Sequence, residues 1–431
     1  MNCKDNVTII TLGCSKNTVD SERLMNQIKL NNVKLVDDPD QAGTVIINTC
    51  GFIEAAKQES IDTILNAVSL KKQGKLNKVI VAGCLSERYM KNLELEIPDV
   101  DRYFGTEDYE GIINELGGEL KYNLLGERLL TSPAHSAYLK ISEGCDHPCS
   151  FCAIPIMRGK HKSKPLEDLL SEARFLASQG TKELVLIAQD TTDYGTDISG
   201  ERTISTLLNS LSEIDGIEWI RLMYAYPSKF PDDLIDTIAS NPKICKYVDI
   251  PLQHISDSVL KSMRRGVTSS KTKELLYKLR KRIPGLTIRT TFITGYPNES
   301  EKDFNDLCNF IKEVRFDRLG VFTFSVEENT SSFILGDPVP ENVKLERKNK
   351  IMEIQKDISA ELNNEFLGKI LTVLIDRIEG EYYIARSYRD APEVDCEVLI
   401  PIKNNNIKIG EFYSVEVYDS DEYDLFAELS R

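Results

Sequence analysis

Residues 142–155, SEGCDHPCSFCAIP, place three cysteines in the pattern CxxxCxxC, at Cys145, Cys149 and Cys152. Thiolates this close can converge on a soft ion or on an iron–sulfur unit. Structural zinc takes four protein ligands, usually offered as two pairs, and no second pair lies nearby. His147 could complete a zinc knuckle, although Pro148 restricts how it bends inward. A 4Fe-4S cluster makes better sense of three ligands, because each iron takes one external ligand and three thiolates leave one iron open. S-adenosylmethionine, which supports radical chemistry, could bind that iron through its amino and carboxylate groups.

Three more cysteines recur about 35 residues apart, each at the end of a short apolar run: Cys14 in TLGCS, Cys50 in NTCGF and Cys84 in AGCLS. Singly, each reads as a small buried hydrophobe. Together, at equivalent strand ends, they could hold a second cluster with one iron uncovered. Cys3, Cys245, Cys308 and Cys396 show no such arrangement and read as packing or surface residues.

The elements that must position these thiols are legible. VTIITL, TVIIN and KVIVA are β-rich runs, each followed by a helical stretch, which predicts an α/β domain with a doubly wound parallel sheet. Loops at the carboxyl ends of such strands gather on one edge. After the polar stretch GGELKYNLLGERLLTSPAHS, a second series of strands (AYLKIS, ELVLIA, WIRLMYA, YVDIPL, LTIRTTFI, RLGVFTFS) alternates with helices. Six units predict a partial (βα)6 barrel whose catalytic rim carries the CxxxCxxC loop, just after its first strand. Residues 341–367 predict one long helix closed by Gly368. ILTVLI, YYIARS, EVLIPI, FYSVEVY and DLFAEL then predict a small antiparallel β-barrel of the oligonucleotide-binding sort.

The chain of 431 residues has a formal charge of −15, which argues against a protein that coats nucleic acid. Residues 369–431 hold 14 acidic and 7 basic side chains, the wrong sign for an RNA-binding barrel and the right one for a basic protein partner. Ten cysteines are too few for a disulfide framework, and no apolar run approaches a membrane span or a secretory leader. A cytoplasmic location without membrane contact is expected.

TLGCSKNTVDSE, INTCGFIEAAKQESI, VAGCLSERY and GCDHPCSFCAIPIMRGKHKSKP, in that order, resemble the radical S-adenosylmethionine methylthiotransferases along essentially the whole chain. The transfer RNA branch of that family typically reads GCQMN at the first cysteine and NTC followed by an Arg-Glu pair at the second. GCSKN and NTCGFIEAA look instead like the branch that methylthiolates an aspartate of small-subunit ribosomal protein S twelve. The resemblance implies a methylthiotransferase N-terminal domain at 5–118, a radical core at 131–360 and a TRAM domain at 363–431. It implies that Cys145, Cys149 and Cys152 hold the 4Fe-4S cluster where S-adenosylmethionine gives a 5′-deoxyadenosyl radical, which takes a hydrogen from the aspartate β-carbon. It also implies that Cys14, Cys50 and Cys84 hold an auxiliary 4Fe-4S cluster carrying the sulfur that a second S-adenosylmethionine methylates. Phe151 matches the aromatic position beside adenine, Gln189 and Asp190 the region of the methionyl amino group, and Gln253 and Arg289 further cofactor contacts, Arg289 to the methionyl carboxylate. GxIxGxxE is only partly matched, since Thr291 replaces its first glycine and Glu299 falls one place late. A low-potential electron donor and a sulfur donor are implied partners, and a monomer is expected. A transfer RNA methylthiotransferase and a non-catalytic, zinc-stabilised RNA-binding protein remain the alternatives at this point.

Overall fold

Short runs of β-branched residues build a four-stranded parallel sheet at the N-terminal end of this computed structural model, which describes residues 6–402 and 407–430. Cys3 lies outside the described residues. The strands are β1 (Val7–Thr11), β2 (Thr44–Thr49), β3 (Lys78–Gly83) and β4 (Arg102–Tyr103), adjacent in that order. The first three are the expected runs, whereas β4 is two residues long and too short to show a pattern. A single parallel bridge from Val7 to Leu35 adds a rudimentary strand on the far side of β1. The chain therefore builds first to one side of β1 and then crosses to β2 on the other. This makes the β1–β2 boundary a topological switch point, where ligands bind in open α/β sheets.

Helices cover both faces, as a doubly wound sheet requires. Helices 15–30 and 109–115 pack on Val7, Ile46, Ile80 and Ala82, while helices 54–72 and 84–96 pack on Val45, Ile47, Val79 and Val81.

The central region runs β5 (Ser136–Lys140), a short hairpin of β6 (Ser142–Glu143) with β7 (Lys162–Ser163), then β8 (Glu183–Ile187), β9 (Trp219–Leu222), β10 (Ile244–Asp249), β11 (Thr287–Thr294) and β12 (Arg318–Thr323). β5 and β8–β12 form an open, parallel six-stranded arc in sequence order, with helices packed on one face. The other face gathers Tyr138, Val185, Ile187, Met223, Cys245 and Tyr247, and it receives Val19 from helix 15–30 and Ala391 from the C-terminal region. Helix Glu341–Asn364, three residues shorter than expected, runs from the core to the last unit. There Asn363 Nδ2 donates to the carbonyls of Asp421 (3.1 Å) and Tyr423 (3.2 Å).

The last unit is a closed barrel of β13 (Ile370–Glu379), β14 (Tyr382–Ser387), β15 (Val398–Pro401), β16 (Phe412–Ser420) and β17 (Leu425–Leu429), in the order β13-β14-β15-β17-β16. Each strand was expected, and alternation along β16 buries Val415 and Val417 while their neighbours stay exposed. The presumed polar link is less loose than its composition suggests. Arg128 within it is buried and paired with Glu22 (3.1 Å) and Glu172 (3.3 Å), and Glu172 also pairs with Arg23 (2.9 Å). These ions fasten helix 15–30 to the core.

Candidate metal centres

The CxxxCxxC loop is closed at its base by Gly144. Its φ of 68° is left-handed, and a Cβ there would clash with the Lys160 carbonyl. Cys145 N donates to the Gly159 carbonyl (3.1 Å), so the two ends of the loop meet. Ser150, between two of the cysteines, donates its N–H to Met263 O (3.0 Å) and accepts from Ser332 N (2.8 Å). The thiols are thus carried by a loop fixed on two sides.

Burial pushes the Cys145 and Cys152 thiols up to about 12, opposed by the backbone N–H groups of His147 and Ile154. Cys149 Sγ accepts from Arg265 Nη1 at 3.3 Å and lies 3.7 Å from the Tyr226 hydroxyl. His147 does not join them: its ring stacks on Tyr226 with centroids 3.6 Å apart, and Nε2 meets Asp190 Oδ2 at 2.6 Å.

The second trio forms as the sheet topology predicts. Cys14, Cys50 and Cys84 emerge after β1, β2 and β3, with Cys14 exposed and the other two buried. Gly13 has a φ of 92°, and a Cβ there would stand 2.7 Å from Cys50 Cβ and 2.9 Å from its sulfur. Burial raises the Cys50 thiol and pushes Cys84 up to about 12; Arg158 opposes both, while the neighbouring thiols add to both. Iron cations would relieve that mutual repulsion, so the donor set fits a thiolate-bound cluster.

Among the described residues, the only trio of donors all within 4.8 Å is Asp20, Glu107 and Glu143. That trio is already filled by cations, since Lys140 Nζ meets Glu107 (2.8 Å), Glu143 (2.6 Å) and Asp20, and Arg158 meets Asp20 (3.1 Å) and Glu143 (2.9 Å).

The other expected contacts divide. Gln253 has a φ of 71° and bridges to Phe292, and its buried Oε1 has no hydrogen-bond partner among the described residues. Asp190 is buried, accepts from Thr192 N (2.8 Å) and is held below its ordinary value, burial being outweighed by His147 and Thr192. Gln189 is half-buried beside it. Phe151 packs into an apolar cluster with Val259, Met263, Tyr296 and Phe324. Arg289 pairs with Asp249 (3.0 Å) and with Asp395 of the C-terminal unit (3.2 Å). Asn17, Arg158, Tyr226 and Arg265 were not singled out from sequence. Asn17 and Arg158 sit inside the two cysteine motifs, which was the available signal; Tyr226 and Arg265 carry none.

Family models match the chain at residues 6–105 (Uncharacterized protein family UPF0004), 139–311 (Radical SAM superfamily) and 367–429 (TRAM domain). Solved structures share the fold at low identity. The radical S-adenosylmethionine methyltransferase TsrM of Kitasatospora setae, with cobalamin and a [4Fe-4S] cluster bound, superposes with a TM-score of 0.57 at 12% identity, over 93% of this chain and 83% of that one. Fold and site together define a radical S-adenosylmethionine enzyme with a second cysteine-bearing domain. Over its full length the chain is 52% identical to the ribosomal protein uS12 methylthiotransferase RimO of Cytophaga hutchinsonii (100% of this chain, 99% of the relative). It is 53% identical to that of Christiangramia forsetii (99% and 94%) and 49% identical to that of Bacteroides fragilis (98% and 99%). The chain belongs to the ribosomal protein uS12 methylthiotransferase family.

Proposed function

We propose that this chain is an enzyme that methylthiolates the β-carbon of an aspartate in ribosomal protein uS12, using two 4Fe-4S clusters and S-adenosylmethionine. The observation that carries the reading is the pairing of two three-cysteine sites, one on the ligand edge of each of two adjoining parallel sheets. Cys145, Cys149 and Cys152 are assigned to the cluster that takes S-adenosylmethionine, and Cys14, Cys50 and Cys84 to the auxiliary one. When bound, these groups supply one-electron cleavage of S-adenosylmethionine, a radical able to take hydrogen from an unactivated carbon, and a sulfur to be methylated.

The protein's own part is to hold and bias. Arg265 donates to Cys149 Sγ, and the Tyr226 hydroxyl, itself given to the Arg265 carbonyl, lies beside that sulfur and helps fix its place. His147 is turned to Asp190 and so leaves the fourth position open. Gln253 Oε1 offers an acceptor to an ammonium group, with Gln189 and Asp190 on the same rim; Phe151 lines the adenine side. Arg289 is assigned instead to the joint with the C-terminal unit.

The functional units are taken as 5–118, 131–360 and 363–431. The acidic barrel favours a basic protein over transfer RNA as substrate. No described helix is long and apolar enough to cross a membrane, and a monomer acting in the cytoplasm with a low-potential electron donor and a sulfur donor completes the reading. The test is to incubate the anaerobically reconstituted chain with uS12 and, separately, with transfer RNA. An added methylthio mass on the protein alone is expected; modified transfer RNA with unmodified uS12 would reject the assignment.

A further inference from the structure

One amide touches all three N-terminal cysteine loops. Asn17, fully buried three residues after Cys14, donates Nδ2 to the carbonyl of Leu12 (2.7 Å) and to that of Thr49 (3.0 Å), the residue before Cys50. Its Oδ1 lies 3.8 Å from Cys84 Sγ. The same Oδ1 accepts from Arg158 Nη2 at 2.6 Å. Arg158 belongs to the other site: it ends the short helix Ile154–Arg158 that starts two residues after Cys152. Its remaining bonds go to Asp20 on the N-terminal helix (3.1 Å) and to Glu143 (2.9 Å), two residues before Cys145. A single buried guanidinium therefore joins the two cysteine loops.

We propose that Arg158 is a positioning residue of the auxiliary site: supplied by the radical-core loop, it fixes Asn17 against the three N-terminal cysteine loops and sets a positive charge beside them. The charge favours the more negative, reduced form of a cluster held there, because cluster potentials follow nearby net charge and hydrogen bonding. Removing Arg158 acts twice in one direction, since it takes away a cation and leaves Asp20 and Glu143 less compensated. The auxiliary site is complete only when the core loop is docked, which ties the two centres into one unit.

The inference rests on the reading of Cys14, Cys50 and Cys84 as cluster ligands, and the experiment keeps the two apart. The parent is the full chain with Cys145→Ala, Cys149→Ala and Cys152→Ala, so that only an auxiliary cluster can form. Reductive titration followed by electron paramagnetic resonance gives its midpoint potential. Arg158→Gln in this parent is expected to shift the potential to more negative values, and Arg158→Lys, which keeps the charge, to shift it much less. An unchanged potential in a folded Arg158→Gln chain overturns the inference, as does an equal shift in Arg158→Lys. If Arg158→Gln does not fold, Asn17→Asp reads the same field from the cluster side; a negative shift is expected, and no shift overturns the inference. A parent that binds no iron overturns the cluster reading and this inference with it.

Discussion

The imidazole Nε2 of His147 lies 2.6 Å from Asp190 Oδ2. A histidine placed between two cysteines of a three-cysteine motif is the obvious fourth ligand, and the geometry declines it. Its ring face is already covered by Tyr226, whose hydroxyl points back toward Cys149. His147, the histidine inside the motif, is thus tied to Asp190 and Tyr226.

His147→Ala is therefore expected to bind as much iron as the unsubstituted chain, whereas Cys149→Ala loses the core cluster. Iron analysis of anaerobically reconstituted protein measures both. Iron loss in His147→Ala equal to that in Cys149→Ala would make the histidine a ligand after all.

Gly13→Ala tests the packing of the second trio. The added methyl meets Cys50 at 2.7 Å, at a backbone φ of 92° that alanine resists. Strain of this kind costs about 1–3 kcal/mol. Lower thermal stability is expected, together with selective loss of auxiliary iron while 5′-deoxyadenosine release continues at the core cluster. Full auxiliary iron in this variant would show that the Cys14 loop can move away from Cys50.

Much of this was legible from sequence, and for a physical reason. Parallel strands buried on both faces are written as uninterrupted β-branched runs, so β1, β2, β3 and the six core strands were found together with the edge on which the cysteines gather. Cys145, Cys149 and Cys152 stand out by their close spacing, whereas Cys14, Cys50 and Cys84 stand out only by recurring at the ends of successive parallel strands. What was hidden is side-chain direction. Arg289 lies on an expected strand and carries the right charge for a carboxylate, yet Asp395, more than a hundred residues later, takes it. Arg158 and Asn17 lie 141 positions apart, and no local pattern announces that they meet.

Acid should loosen the joint between the core and the last barrel. Glu183 is buried between Arg386 (2.7 Å) and Arg221 (2.9 Å); burial alone would raise its carboxyl, but the two guanidinium groups hold it down to about 2, against an ordinary 4.5. A carboxyl depressed on folding stabilises the fold above its unfolded value and loses that contribution as pH falls toward its folded value. The window is therefore pH 4.5 down to 2, and the contribution is about 3 kcal/mol. Melting temperatures should fall as pH is lowered through this window, with part of the slope absent from Glu183→Gln, itself less stable at pH 6. An identical slope in that variant would assign the acid sensitivity to other carboxyls.

Gln253 and Arg289 give opposite expectations for the same ligand. Gln253 Oε1 is buried without a partner among the described residues, a state that costs about 1–3 kcal/mol unless a donor arrives. An ammonium group of S-adenosylmethionine would satisfy it, so Gln253→Ala should weaken binding of that ligand by about tenfold, the equivalent of about 1.4 kcal/mol. Arg289 already meets Asp249 and Asp395, and its removal leaves two buried carboxylates short of a cation. Arg289→Gln should therefore lower thermal stability while leaving affinity for S-adenosylmethionine within twofold. Equilibrium binding to the cluster-loaded chain, measured beside its melting temperature, separates the two. A large affinity loss in Arg289→Gln at unchanged stability would return that residue to the ligand and remove it from the joint.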